Sequence, residues 1–346
     1  MSRNIALNEA TGEFVTTHDA DDWSHPLKLE LQARQLMARP ELAASMSQQA
    51  RATSELLFYR RGNPGHYVFD NMSSLMFRRK PVLQKLGYWD SVRFGADSEF
   101  IERIRLSFGR GSVSSLTEAG PLSFQRQSES SLTGSSAFGF HGFFMGARLA
   151  YHQASRLYHR RGQGLRYDFP QDNRPFAIPE PMWPVREIAK GAQRRFDMVL
   201  VADFRLRTET GRLRAEIEKE RREGHRVGLV QMAVYGADPH GQVLPAFREL
   251  EDRGDVHFIV AGERVRCDRL AVLDARVLEH FQRFVPEIEA GRVEIIAGGA
   301  PGGIVTPEGA ADWQGACQRN AERVFGTSGV WVVEDARFSG LLGKDR

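Results

Sequence analysis

Between residues 196 and 333 the chain alternates short apolar runs with amphipathic helical segments, and this rhythm restricts its possible folds more than any other feature. Residues 196–201, 227–232, 256–260, 269–273, 293–296 and 330–333 read as strands. Most are apolar on consecutive rather than alternate residues, the pattern of strands covered on both faces. Residues 212–224, 244–253 and 311–325 read as the helices that provide the cover. Strands of this kind separated by helices predict a parallel, doubly wound α/β sheet. Gly298 to Gly303 follows a strand, but without the lysine or the glycine spacing of a phosphate loop it reads as an ordinary loop.

Upstream, residues 168–195 hold Pro170, Pro175, Pro179, Pro181 and Pro184, too closely spaced for a helix or an interior strand. This stretch reads as a linker, which fits the two domains suggested by 346 residues. The expected division is 1–167, a linker at 168–195, and 196–346. No apolar run is long enough to span a bilayer and no secretory leader is evident. Cys267 and Cys317 form no metal or redox motif, so a reducing, cytoplasmic setting is expected, in solution or peripheral at the inner membrane face. The net charge is only +3 and the arginines are interspersed with acids, which gives no nucleic-acid footprint.

In the first half, residues 12–17 read as a short extended run that leads into Thr17-His18-Asp19-Ala20-Asp21-Asp22-Trp23, with helix-start signals at Ser24 and Pro26. Carboxylates at the end of a strand and before a helix lie where α/β folds bind ligands. In an extended segment Asp19 and Asp21 would share a face. Two carboxylates so placed repel unless a cation lies between them, and a hard divalent ion, Mg²⁺ or Mn²⁺, is the natural guest. A helix is expected over 26–50, broken at Arg39-Pro40, then strands at 54–59 and 73–77 and a helical turn or two from Lys80 to Leu86. From Asp97 the pattern is helical again: Phe100, Ile101, Ile104 and Phe108 form one face, Glu99 and Arg103 are an i, i+4 pair, and Asp97 lies near the N-cap. A further helix is expected over 142–160.

The run Arg3-Asn4-x-Ala6-Leu7-x-x-Ala10-Thr11-Gly12-Glu13-Phe14 leading into Asp19-Ala20-Asp21-Asp22 closely resembles the middle of a family-two, GT-A-type glycosyltransferase. A second cluster, Leu86-Gly87-x-Trp89-Asp90-x-x-Arg93-x-Gly95-x-Asp97-x-Glu99-Phe100-x-x-Arg103, is similar to the acceptor-side acidic motif of the same family, although Ala96 stands where that family commonly has Glu. Ser131-Leu132-Thr133 matches a family turn beyond it. The resemblance implies a metal on Asp19 and Asp21, with Asp22 beside it at the donor, and Asp97 or Glu99 as the base that deprotonates the acceptor. The cofactor implied is Mg²⁺ or Mn²⁺, the donor a nucleotide-diphosphate sugar, and the acceptor a glycan or other hydroxyl compound. His141 and His152 are options for a further ligand and Trp23 and Trp89 for sugar stacking, while His18 reads as structural. The second half resembles the N-terminal, Rossmann-like half of a GT-B glycosyltransferase through Phe196-Asp197-x-Val199-Leu200-x-x-Asp203-Phe204-Arg205-Leu206, residues 224–232 and residues 317–326.

On this resemblance the expected fold is a partial GT-A domain followed by a Rossmann-like doubly wound domain, and the expected reaction is inverting, metal-dependent sugar transfer. The chain starts at the family's central segment, so it is also expected to be truncated at its N-terminus and to turn over poorly alone. Two alternatives are a catalytically inactive binding or scaffold fragment and a metal-dependent phosphohydrolase using the acidic triplet.

Overall fold

The computed structural model describes residues 2–59, 65–126, 146–162, 164–184, 193–238, 241–297 and 307–333. They fall into two compact units, one of Met1–Ser135, Ser155–Pro175 and Met182–Pro184, the other of Ser136–Ala154, Phe176–Pro181 and Val185–Arg346. The proline-rich stretch, as far as it is described, has residues in both units.

The first unit runs α1 (Ser2–Glu9), β1 (Phe14–Thr16), β2 (Trp23–Ser24), α2 (Lys28–Ala38), β3 (Ala44–Ala52), β4 (Phe58–Tyr59), β5 (Val68–Arg78), α3 (Arg79–Leu86), α4 (Ala96–Phe108) and β6 (Val113–Arg126). Its sheet has the order β1-β5-β3-β6-β2, with β4 also on β3. The β3–β6 pair is parallel and the other pairs are antiparallel. The central strand is the main departure from the sequence expectation, because residues 44–50 belong to β3 and not to a helix. Nothing in Ala-Ser-Met-Ser-Gln-Gln-Ala favours a strand locally, so its neighbours decide. Ala44, Met46 and Ala50 are buried, and the backbone N–H of Ser47 donates to Ser74 Oγ (2.8 Å). Gln32 of α2 donates to the carbonyl of Ser45 (3.2 Å), while Ser45 Oγ donates to Gln35 (2.5 Å). β6 falls where no strand was expected, and of residues 54–59 only Phe58–Tyr59 is strand.

On one side of this sheet α4 buries Phe100, Ile101 and Ile104 against Phe77 and Trp89. At about 25 cal/mol per Å² each such side chain contributes roughly 1.5–3 kcal/mol when fully buried. The Glu99–Arg103 pair lies in this interior too, with both side chains at most 1% exposed, and not on the surface. Gly87 shows how closely the chain passes itself: its φ is +67°, and a Cβ there would stand 2.0 Å from the carbonyl oxygen of Tyr167. Another side chain at that position would be strained and would collide with backbone.

Helix α5 (Ala147–Arg160) contributes residues to both units. The second unit continues with β7 (Arg194–Ala202), α6 (Thr210–Arg222), β8 (Val227–Gln231), α7 (Pro245–Asp252), β9 (His257–Phe258), β10 (Arg264–Val272), β11 (Glu287–Ala297), α8 (Pro307–Phe325) and β12 (Val330–Val333). All its strand pairs are parallel, in the order β12-β11-β10-β7-β8-β9. The chain starts in the middle at β7, winds outward to β9, then returns to the other side of β7 and winds outward again. From Met198 to Ala202, successive β7 residues serve opposite faces. Phe196, Val199 and Val201 pack with Trp313, Cys317 and Ala321 of α8. Met198, Leu200 and Ala202 pack with Leu213 and Ile217 of α6 and Phe247 of α7. β10 and β11 begin earlier than their apolar runs: their parallel ladder already pairs Arg264 with Glu287 and Arg266 with Glu289, whose side chains also form ion pairs. Among the described residues no helix is long and apolar enough to cross a membrane.

Candidate active site

At the end of β1 the backbone is fixed before it reaches the acids: Thr17 Oγ1 donates to the carbonyl of Ser73 on β5 (2.7 Å). The acidic stretch then turns instead of running straight, with Asp22 N–H donating to the carbonyl of Asp19 (3.1 Å). The shared strand face expected for Asp19 and Asp21 is thus replaced by a turn. Asp21 is exposed, whereas Asp19 and Asp22 are half-buried. The carboxylate of Asp22 accepts from the backbone N–H of Arg126 at the end of β6 (3.2 Å), which ties the turn to the sheet. Burial raises the Asp22 pKa above the ordinary carboxylate range, and the charges of Asp19 and Asp21 add to the rise.

A second carboxylate reaches the same place from α4. Gly95, at φ 85°, turns the chain into this helix and leaves Asp97 in its first turn, where free N–H groups and the helix dipole favour an anion. Arg3 joins the two: one guanidinium nitrogen pairs with Asp97 and the other with Asp19 (3.0 Å). Arg3 is placed by its neighbour Asn4, which is buried and binds both the carbonyl and the N–H of Trp89 (2.9 and 3.1 Å). Burial raises the Asp97 pKa, Arg3 opposes the rise, and Asp19 reinforces it. Burial works against the charge on Arg3, but Asp97 and Asp19 outweigh it and raise the arginine's pKa. Lys28, at the start of α2, is buried, which lowers its pKa, while Asp22 and Asp19 support its charge.

Glu99 lies elsewhere. Its carboxylate takes two bonds from Arg103 (2.7 and 3.0 Å) and one contact from His159 Nε2 (3.0 Å). Arg103 also donates to the carbonyls of Leu86, Tyr88 and Leu165. Burial alone would raise the Glu99 pKa, but Arg103 and His159 outweigh it and lower it. A carboxylate so enclosed positions α4 and does not face Asp19. Trp89 is buried between Phe77 and Phe100 and presents no face to a sugar. Trp23 is half exposed and stacks on Phe124 (centroids 5.2 Å apart, planes 20° apart). His18 contacts Ser24 (3.1 Å) beside the turn. His152 lies on α5, and His141, Ser131-Leu132-Thr133 and Gly298 to Gly303 lie outside the described residues.

Sequence reasoning missed Arg3 and Lys28 as members of this group. The signal for Arg3 was present, since it heads the run that carries the family resemblance, but an arginine on a short helix reads as solvent-facing. Three carboxylates, Asp19, Asp22 and Asp97, are coupled here to two cations, Arg3 and Lys28, and Asp21 acts on this group through Asp22. The side-chain oxygens of these acids are of the hard kind that Mg²⁺ or Mn²⁺ takes, one or two carboxylates with water and phosphate completing the shell. Asp21 is the exposed member of the turn, and Asp19 is half-buried and pairs with Arg3.

The second unit has a cavity of about 390 Å³ where β7, β8 and β9 end. Leu149, Phe258 and Ile259 line its apolar part, and Arg205, Gln231 and Arg248 its polar part. Both arginines are already compensated: Arg205 by Asp203, through two bonds of 2.7 Å, and Arg248 by Glu251 (2.8 Å).

No curated protein matches the chain. Residues 2–94, which include Arg3, Asp19, Asp21 and Asp22 and stop three residues short of Asp97, match the family described as Glycosyl transferase family 2, and this segment is therefore similar to glycosyltransferases.

Proposed function

We propose that the first unit transfers a sugar from a nucleotide-diphosphate sugar to an acceptor hydroxyl, with inversion at the anomeric carbon and in dependence on a divalent cation. The observation that carries this reading is the single guanidinium of Arg3 holding Asp19, from the acidic turn, together with Asp97, from α4. The match of residues 2–94 supports sugar transfer in general.

In this mechanism Asp97 is the general base. It accepts the acceptor's proton as the hydroxyl oxygen bonds to the anomeric carbon and the bond from that carbon to the diphosphate oxygen breaks. A base must be deprotonated yet basic enough to take a proton, and burial opposed by Arg3 gives a carboxylate of this kind. Asp19 and Asp21 would hold Mg²⁺ or Mn²⁺, which supplies charge stabilisation to the departing diphosphate. Asp22 orients the turn through Arg126, and Glu99 fixes α4 from within. Trp23 offers an aromatic face to a sugar beside the turn. We read the second unit as a Rossmann-like domain of the kind in the N-terminal half of GT-B enzymes. Its central first strand and the helices on both faces support this reading.

The test is nucleotide release from a panel of nucleotide sugars, with Mn²⁺ and simple glycan acceptors. Asp97→Asn should lower transfer by about 10²–10⁴-fold, the usual contribution of a positioned base. Donor binding, followed by calorimetry, should change little. Unchanged turnover in Asp97→Asn would overturn the assignment. Absence of heat with Mn²⁺ and with any nucleotide sugar would favour a binding or scaffold role. Phosphate release from simple esters, insensitive to Asp97→Asn, would favour a phosphohydrolase.

A further inference from the structure

We propose a second metal site, for a divalent cation of the zinc class, at the C-terminal end of α6 in the second unit. It rests on different residues from the proposed transferase site and does not depend on that reading. The helix ends in a Schellman turn: Gly224, at φ +83°, donates to the carbonyl of Arg221 (3.0 Å) and His225 N–H to that of Glu220 (3.2 Å). This turn brings Glu220, Glu223 and His225 together, with one ligand atom of each within 4.8 Å of the other two. His225 Nδ1 lies 2.7 Å from Glu220 Oε2 and 3.6 Å from Glu223 Oε2.

A tetrahedral ion with nitrogen and oxygen ligands at about 2.0–2.2 Å separates neighbouring ligand atoms by about 3.3 Å. The two observed separations lie on either side of that value. An ion at this point would take the place of the hydrogen bond between Nδ1 and Glu220. The second observation is the other oxygen of Glu220. That side chain is 1% exposed, and its Oε1 is buried without a hydrogen-bond partner. The nearest cation, Arg269, is 3.9 Å away and also pairs with Glu294 (3.3 Å). Lys219 is engaged by Glu216 (2.9 Å). A cation bound at Oε2 would join Arg269 in balancing the charge of this buried carboxylate, and the helix C-terminus favours positive charge. Imidazole with two carboxylates suits Zn²⁺ better than a hard ion such as Mg²⁺. Glu223 and His225 are partly exposed, which leaves room for water as a fourth ligand. The ion would tie the end of α6 to the start of β8.

The experiment is calorimetric titration of the full chain with Zn²⁺ in the presence of excess Mg²⁺, which occupies sites of hard oxygen ligands. One Zn²⁺ should bind per chain and raise the thermal midpoint. His225→Ala and Glu223→Gln should each weaken binding at least tenfold, whereas Asp19→Asn should not. Glu223 is half exposed, so its substitution tests the site without disturbing the interior. No Zn²⁺ binding by the wild-type chain, or wild-type affinity in either His225→Ala or Glu223→Gln, would overturn the proposal.

Discussion

Asp19 and Asp97 are bound to two nitrogens of one guanidinium, that of Arg3, although β2 to β5 separate them in the chain. The arrangement joins an acid from a turn to an acid from a helix and holds their like charges near each other. It also makes the protonation of Asp97 depend on a residue outside its own helix.

Replacing Arg3 with Gln removes the cation that opposes the upward shift of Asp97. A base acts in its deprotonated form, so the acid limb of the kcat/KM profile should move to higher pH. The loss of activity should be roughly tenfold greater at pH 6 than at pH 8, as follows when an opposite charge beside a carboxylate is lost. Parallel profiles for wild type and variant would rule out Asp97 as the titrating base.

Arg103→Met leaves the Glu99 carboxylate buried without its main partner. Breaking one side of a buried ion pair typically costs about 3–5 kcal/mol, and removing both sides costs less. Urea unfolding should show Arg103→Met strongly destabilised and the double variant Glu99→Leu/Arg103→Met partly recovered.

Burial raises the pKa of Glu263, just before β10, to about 7, although Arg194 and the N–H of Val260 act against the rise. The folded state therefore holds a proton that the unfolded state gives up near the ordinary glutamate value. Stability from this group is complete below about pH 4.5 and is lost as pH rises to about 7, a difference of roughly 3 kcal/mol. Glu263→Gln should flatten the fall in unfolding free energy across this window, as measured by chemical denaturation at a series of pH values.

Cys267 and Cys317 are both buried free thiols whose pKa values burial pushes up to about 12. Neither should react with a thiol reagent such as Ellman's in the native protein, because the thiolate is the reactive form. Both should react once the chain is unfolded in guanidinium. Rapid native labelling at either position would show that its surroundings open readily.

The two halves of the chain were not equally legible. In the second unit, strands such as Val227–Gln231 are apolar on both faces, so composition and position agree. In the first unit, β3 is made of small and polar residues whose partners are remote in sequence: Ser74 for Ser47, Gln32 for Ser45. No local pattern records such contacts. The acids of the turn and Asp97 could be picked out, because carboxylates near element ends are visible in the sequence. Their meeting at Arg3 was hidden, since it depends on where α1 docks, and that is set by Asn4 against Trp89. Glu99 shows the reverse difficulty, since an i, i+4 pair has the same spacing on a surface as in a core.

β3 has no strong strand character of its own, and this bears on how the first unit comes apart. Detaching β6 would remove one of the two long ladders that keep residues 44–52 extended. The middle of the sheet would then be free to coil, and the turn at Asp19 and helix α4 would lose the floor beneath them. Piecemeal fraying is thus poorly accommodated in this unit, and loss of a single strand should spread through the whole of it.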